Sequence, residues 1–434
     1  MTTKEYTMHK NRILVAAAAL AAGTLALSGC SGGDGDKGGD GGGDASTLTV
    51  LDYYNNEPDK SLEQAALDTC AEQVGVTLKR ETVPGADLIQ TVLQRAQSKT
   101  MPDVLMLDNP DVQEIAATGG LAPLSEFDVD TSPFTQAIID ATTYEGEVYG
   151  LGPAVNTLGL FYNADLLEEK GIEPPTTWDE LKEASAALTE GDRYGLAFSA
   201  IANYEGTWQF LPFMWSNGGD ETQLDSPENA EALQLWVDLI DAGSVSQGAV
   251  NWTQGDVKDQ FLAGKAAMMV NGPWQIPAMQ DADFEWASVE IPVNKAGEDS
   301  VAPLGGEVWT VPETGNDATK AKAAELVECM SNEDSSMSIA EARYLVPTRT
   351  DIIDEYIEKV PEMASFGEQI KTARARTGKL GADWPDAATV IYNAIQLGIT
   401  GTPADEAFAK AEQGCPRPPT RPGREAGPPC KGAP

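Results

Sequence analysis

Asp103-Val104-Leu105-Met106-Leu107-Asp108 is a short run, almost wholly apolar between two acids. A parallel strand covered on both faces needs such a run, because neither face meets water. The stretch before it repeats the theme. Leu48 to Tyr53 reads as a strand and Val76 to Val83 as a second. Between them Ser61 to Val74 has helical spacing, with Leu62, Ala65, Ala66 and Leu67 on one face and charges opposite. Leu88 to Ala96 is predicted helical. Beyond the run, Val112 to Ala117 forms another helix that stops at Gly119-Gly120. Strand and helix alternating at this spacing argue for an α/β domain.

The alternation continues downstream. Leu158 to Asn163 and Gly195 to Ala200 read as strands. Thr177 to Glu180 is a capping box, its threonine and glutamate each able to satisfy one free N–H of a helix start. Ser226-Pro227 opens a helix to about Asp241, with Ser as N-cap and Pro at the first position. From Phe261 a helix ends at Gly264, then Ala266 to Val270 makes a strand and Gly272-Pro273-Trp274 a turn. Val289 to Val293 and Val308 to Val311 are expected strands. Ala318 to Met330 is a helix, and Thr402-Pro403 caps a last one to about Gln413.

At the N-terminus, Lys4, Lys10 and Arg12 precede an apolar run from Ile13 to Leu27. Gly23 and Thr24 interrupt it, and it falls short of the roughly 20 residues of a comfortable membrane span. The layout is that of a secretory signal peptide over 1–29. Residues 31–46, mostly Gly and Asp, cannot bury apolar surface and form a tether. From Gly414 the chain turns Pro-rich and basic. That composition forbids regular structure and marks either a disordered tail or a reading frame shifted near Gln413.

Lys and Arg total 29 against 68 Asp and Glu, a formal net charge of −39. The basic footprint of a nucleic-acid binder is missing. A strongly anionic ligand is disfavoured unless a local basic pocket overrides the global charge. The one histidine, His9, lies in the leader. The mature chain therefore has no means for Ser-His-Asp or Cys-His catalysis or for a His-containing metal site. We expect no catalytic residues, no metal and no cofactor. Cys70 and Cys329 each lie in a helical stretch, and an exported compartment permits disulfides. They are expected to pair; two buried free thiols are the alternative.

Leu27-Ser28-Gly29-Cys30 resembles the lipobox of bacterial lipoproteins, in which Cys30 would carry the lipid; an ordinary signal peptide is the alternative. Behind it, residues 48–413 resemble the extracytoplasmic solute-binding proteins of bacterial carbohydrate ABC importers, the maltose-binding-protein-like family. Ordered segments carry the likeness: Pro102 to Asp108, Gly119-Gly120-Leu121-Ala122-Pro123-Leu124, Tyr149-Gly150-Leu151 and Leu160-Phe161-Tyr162-Asn163. Trp178-Asp179-Glu180-Leu181, Phe261-Leu262-Ala263-Gly264 with Gly272-Pro273-Trp274, Pro303 to Gly306 and Pro347-Thr348-Arg349 follow in order.

The resemblance implies an α/β, two-lobed periplasmic-binding-protein-like fold with a hinge and an interlobe ligand cleft. Lobe 1 would comprise 47–152 plus 303–346, and lobe 2 would comprise 153–302 plus 347–413. The chain would cross near Gly152-Pro153, Val301 to Pro303 and Val346-Pro347. It implies a carbohydrate ligand, mono- or oligosaccharide, and an ABC permease as partner. The receptor would be a monomer held to the membrane by lipid at Cys30, outside the cytoplasm.

A sugar needs aromatic platforms for its C–H faces and carboxylates or amides for its hydroxyls. On the resemblance, Trp274 would stack on sugar, and Asp108 would accept from a hydroxyl, unless it is a helix N-cap. Asn56 and Glu57 would be polar contacts, unless they form a solvated turn. Asn156 would act near the hinge. Trp208, chosen over Trp215, would supply the second lobe's aromatic. Gly305 and Gly306 would allow close backbone approach, with Glu307 or Trp309 beside them, and Trp384 would be a late aromatic. Three alternatives stand beside sugar import. They are a same-fold receptor for another polar solute, a secreted glycosidase needing two spaced carboxylates, and a sensory module.

Overall fold

The computed structural model describes residues 46–414. The leader, Cys30, the tether up to residue 45, and the tail from 415 with Cys415 and Cys430 lie outside the described residues.

Two sheets organise the chain. Strands β1 (Thr47–Asp52), β2 (Thr77–Thr82), β3 (Val104–Asp108), β4 (Gly150–Leu151), β5 (Gly159–Asn163), β6 (Tyr194–Ala197), β7 (Ala266–Asn271), β8 (Trp286–Val289) and β9 (Glu307–Thr310) build them. The first sheet has five strands in the order β2-β1-β3-β9-β4, and the second has four in the order β8-β5-β7-β6. β3 runs parallel to β1 and antiparallel to β9. It is central, so Val104, Leu105, Met106 and Leu107 are all buried, as the opening run required. The sheet is mixed rather than all parallel, because β9 returns late in the chain.

In the second sheet, side-chain alternation divides two packing faces. Leu160, Met268 and Val270 join the core around Trp236, where the Phe198 and Trp236 rings stack 4.0 Å apart. Phe161 and Met269 face the other way, and Phe161 meets Phe366 at 5.5 Å.

Several starts and stops follow the local chemistry. Thr177 and Glu180 form the reciprocal capping box of helix Trp178–Leu188. Ser226 caps helix Pro227–Asp241. The strand expected over 289–293 lies instead at Trp286–Val289, paired with β5. Beyond it the Ile291 N–H donates to the side-chain oxygen of Gln369, 3.1 Å, which ends the ladder. Helix Asp59–Val74 also differs from expectation. Its buried positions are Glu63, Leu67, Cys70 and Ala71, while Ala65 is exposed. An acid stands inside because Arg343 reaches it. Cys70 and Cys329 form a disulfide between this helix and helix Asp317–Met330.

Three backbone segments run side by side between the sheets. Ala154–Val155 pairs antiparallel with Val346–Pro347. Asn156 and Gly305 exchange both backbone hydrogen bonds, at 3.1 and 2.8 Å. The Thr157 hydroxyl donates to Pro303 O at 2.8 Å, and Thr348 donates to Gly152 O at 2.6 Å. A further segment joins them, since Leu304 N–H donates to Arg374 O and Arg374 N–H to Ala302 O.

Candidate ligand-binding site

β3 ends where antiparallel β9 begins. Glu307 is the register partner of Asp108, so the two carboxylates stand side by side at the strand-end rim of the first sheet. A cleft of about 470 Å³ opens there, walled on the far side by helix Tyr204–Ser216 and the turn after β7. A cleft beyond the strand ends of an α/β sheet is the ordinary place for a ligand.

Six of the residues expected at the site line this cleft: Asp108, Asn156, Trp208, Trp274, Gly305 and Gly306. Asp108 makes no helix-capping bond; its carboxylate accepts twice from Nη2 of Arg376, at 2.9 and 3.2 Å. Burial pushes its pKa up against the pull of Arg376, and Glu307 pushes the same way. The Arg376 guanidinium also lies over the Trp208 ring, 4.7 Å from its centroid. A cation placed over an indole face is drawn to it electrostatically. Trp274 stays half-buried because its ring folds back over Gly272, where a Cβ would sit 1.9 Å from it.

The glycines have a steric reason. A Cβ on Gly305 would lie 2.1 Å from Asn156 Oδ1 and 2.6 Å from the Trp208 ring. Gly306 holds φ at +112°, in the region that only glycine enters freely. Buried Asn109 fastens this loop to the end of β3 by donating to Gly306 O at 2.9 Å.

Three expected residues are not in the cleft. Asn56 and Glu57 are exposed and engaged locally. Asn56 donates to Asn55 Oδ1, and Glu57 accepts from the Ser61 N–H at the start of the following helix. The wall begins one residue later, at Pro58 and Asp59. Trp384 is buried in the core around Trp236, at the start of helix Trp384–Ile399, away from the lining. Trp215 donates to Glu221 at 2.8 Å beneath Arg374, and Trp309 is core.

Other residues of the site belong to no local motif in the sequence. Arg376 and Arg343 line the cleft, as do Tyr204, Glu205 and Gln254. Tyr204 is 54 % exposed, one helical turn before Trp208. Glu205 accepts from the Gln254 N–H at 2.8 Å. The Tyr53 hydroxyl donates to Glu307, and burial with that neighbouring charge pushes the phenol well above its ordinary pKa. Arg343 lies 4.1 Å over the Tyr54 ring and pairs with Asp59 at 3.1 Å and Glu63 at 3.3 Å. Burial pushes Glu63 up to about 7 despite Arg343. Rare arginines in an acidic chain, Arg374-Ala375-Arg376 among them, were the available clue.

Platforms beside paired carboxylates can hold a polar ring compound by its faces and its edge. Among the described residues no group of three His, Cys, Asp or Glu side chains is placed to hold a metal ion.

Known proteins share this fold. The cyclic alpha-maltosyl-1,6-maltose binding protein of Arthrobacter globiformis superposes with a TM-score of 0.73 at 28 % identity, covering 85 % of this chain and 97 % of that one. The GacH receptor of Streptomyces glaucescens, solved unliganded and with acarbose, gives 0.73 at 27 %, covering 85 % and 96 %. A maltooligosaccharide ABC transporter solute-binding lipoprotein of Streptococcus pneumoniae is 25 % identical over 323 residues, 70 % of this chain and 74 % of that protein. These are two-lobed binding proteins rather than enzymes, and this chain has their α/β architecture. Residues 65–393 match the family described as bacterial extracellular solute-binding protein, and the chain belongs to it.

Proposed function

We propose that this protein is the extracytoplasmic receptor of a carbohydrate ABC importer. It captures a mono- or oligosaccharide between two lobes and delivers it to the permease by hinge closure. The observation that carries this reading is the cleft itself. Trp208, Trp274 and Tyr204 offer apolar ring faces, and Asp108 and Glu307 offer acceptors, all around one cavity. The names of the relatives, which bind maltosyl and maltooligosaccharide ligands, favour sugar over another polar solute.

In this reading 47–152 with 303–346 form one lobe and 153–302 with 347–413 the other. Asp108, Asn156, Trp208, Trp274, Gly305 and Gly306 contact the ligand. The mature receptor is a monomer anchored by lipid on Cys30 and performs no catalysis.

The test is a thermal-shift and calorimetric panel of sugars, polyols and amino compounds. A ligand that binds only the folded state adds about 2.7 kcal/mol of stability at one hundred times its Kd. A shift with one sugar, recovered intact, supports the reading. Recovery of a cleaved sugar means a glycosidase, and shifts confined to non-sugar solutes mean a different cargo. The anchor is tested by the N-terminal mass of protein extracted from membranes, where an unmodified cysteine would remove it.

A further inference from the structure

The charged groups of the cleft are unequally matched. Six line it: Asp59, Asp108, Glu205, Glu307, Arg343 and Arg376. Each arginine is already held by carboxylate. Arg376 gives Nη2 to Asp108, and Arg343 gives its donors to Asp59 and, behind the wall, to buried Glu63. Glu205 and Glu307 receive only neutral donors, the Gln254 N–H and the Tyr53 hydroxyl. The lining therefore carries two more carboxylates than guanidinium groups, and no cation in it is without its counter-ion. A local basic pocket, the one feature that could override a chain charge of −39, is not what this cleft contains.

The donors point the same way. Nε of Arg376, a residue 9 % exposed, is buried and has no hydrogen-bond partner. Asp108 takes only Nη2, so its carboxylate stays in place beside any group that approaches the guanidinium. An anionic group brought to the guanidinium would stand beside the Asp108 carboxylate that holds it and near Glu307, the register partner of Asp108, so like charges would face each other. An ammonium group would meet Glu205 or Glu307 and gain a charge-assisted bond.

We infer that the cleft selects saccharides by charge. It accepts neutral or amine-bearing sugars and rejects sugar phosphates and uronates, with Glu307 and Glu205 as the discriminating groups. The inference rests on the saccharide reading above and narrows its substrate class.

The experiment uses the whole mature chain and ligands that differ at one group. D-glucose, D-glucosamine, D-glucuronate and D-glucose 6-phosphate are titrated by calorimetry, with their galacto counterparts and with maltotriose as a neutral oligomer. The expected result is binding of neutral or amino sugars, with the matched anions at least about 100-fold weaker. Glu307→Gln, which keeps an oxygen for the Tyr53 hydroxyl, should narrow that ratio by roughly tenfold. Glu205→Gln is a second, independent variant expected to act in the same direction. An anionic sugar that binds within tenfold of its neutral counterpart overturns the charge selection and leaves the saccharide reading standing. An unchanged ratio in both folded variants also overturns it. Failure of every saccharide in the set removes the saccharide reading and this inference together.

Discussion

Arg376 bridges two walls of the cleft: Nη2 lies 2.9 Å from an Asp108 carboxylate oxygen at the end of β3, and the guanidinium carbon lies over the Trp208 ring, 4.7 Å from its centroid. One side chain thus fixes an acceptor from the first sheet against a platform from the helix opposite. Arg376→Ala should weaken ligand binding by about 2–3 kcal/mol, because a charge-assisted pair and the cation over the Trp208 ring are both lost. It should also raise the Asp108 pKa further, since the main group that lowers it is gone. Binding would then weaken as the medium is acidified. Arg376→Lys should restore little, because a compact ammonium lacks the broad guanidinium that reaches Asp108 and Trp208 together. Calorimetry across pH reads all three effects, and an unchanged Kd in Arg376→Ala would remove Arg376 from the site.

Gly305 is the second point of fit. Its missing Cβ leaves room for Asn156 Oδ1 and the Trp208 ring, both well inside contact distance of where that atom would be. Gly305→Ala must push both aside. The expected stability loss is modest, about 1–3 kcal/mol. Ligand affinity should fall more than the melting temperature suggests, because the displaced groups line the cleft. Near-ultraviolet circular dichroism of the Trp signals, with calorimetry, checks this. Full affinity in a folded Gly305→Ala protein would show that this loop is not shaped around the ligand.

Much of this was legible in the chain. β3 announced itself by four buried apolar residues in a row, and Gly272-Pro273-Trp274 by a turn after a strand. Asp108 and Gly305-Gly306 were expected at the site through the family resemblance that their segments carry. What was not legible depends on contacts between distant parts of the sequence. Arg376 lies in an irregular stretch with no periodicity, and only the fold brings it to Asp108, 268 residues earlier. Glu63 looked like part of a solvated face because its partner, Arg343, is 280 residues away. Trp384 misled for the opposite reason, since an aromatic at a helix start serves the core as readily as a ligand.

Glu63 makes stability pH-dependent in a direction unusual for a carboxylate in an ion pair. Burial outweighs Arg343 and raises its pKa from 4.5 to about 7. Between those two values the folded chain holds a proton that the unfolded chain has released. Stability from this group is therefore greatest below about 4.5 and declines as pH rises to about 7. Glu63→Gln should flatten that part of the stability profile, keeping the acceptor for Arg343 without the buried charge. Urea unfolding at several pH values compares the two proteins. A profile of the same slope in the variant would assign the pH dependence elsewhere, with half-buried Asp111, also pushed up to about 8, as the next group to change.

The disulfide between Cys70 and Cys329 closes a loop of 259 residues. Cross-linking a loop this long restricts the unfolded chain strongly, and removing such a bridge typically costs about 2–5 kcal/mol. The helix it holds, Asp59–Val74, carries Asp59 and Leu62 into the cleft at its other end. That end is held separately, by the pairing of Asp59 and Glu63 with Arg343. The two functions should therefore come apart. In Cys70→Ser/Cys329→Ser the urea midpoint should drop, while the ligand Kd at 25 °C changes by less than about threefold, because stability lost through the unfolded state need not disturb the folded site. Arg343→Ala should lower both stability and affinity, since it leaves Glu63 buried without its partner and releases the cleft end of the helix. A double variant losing stability as the sum of the two would show them independent. A large excess over the sum would mean that the bridge and the ion pair hold one and the same helix position.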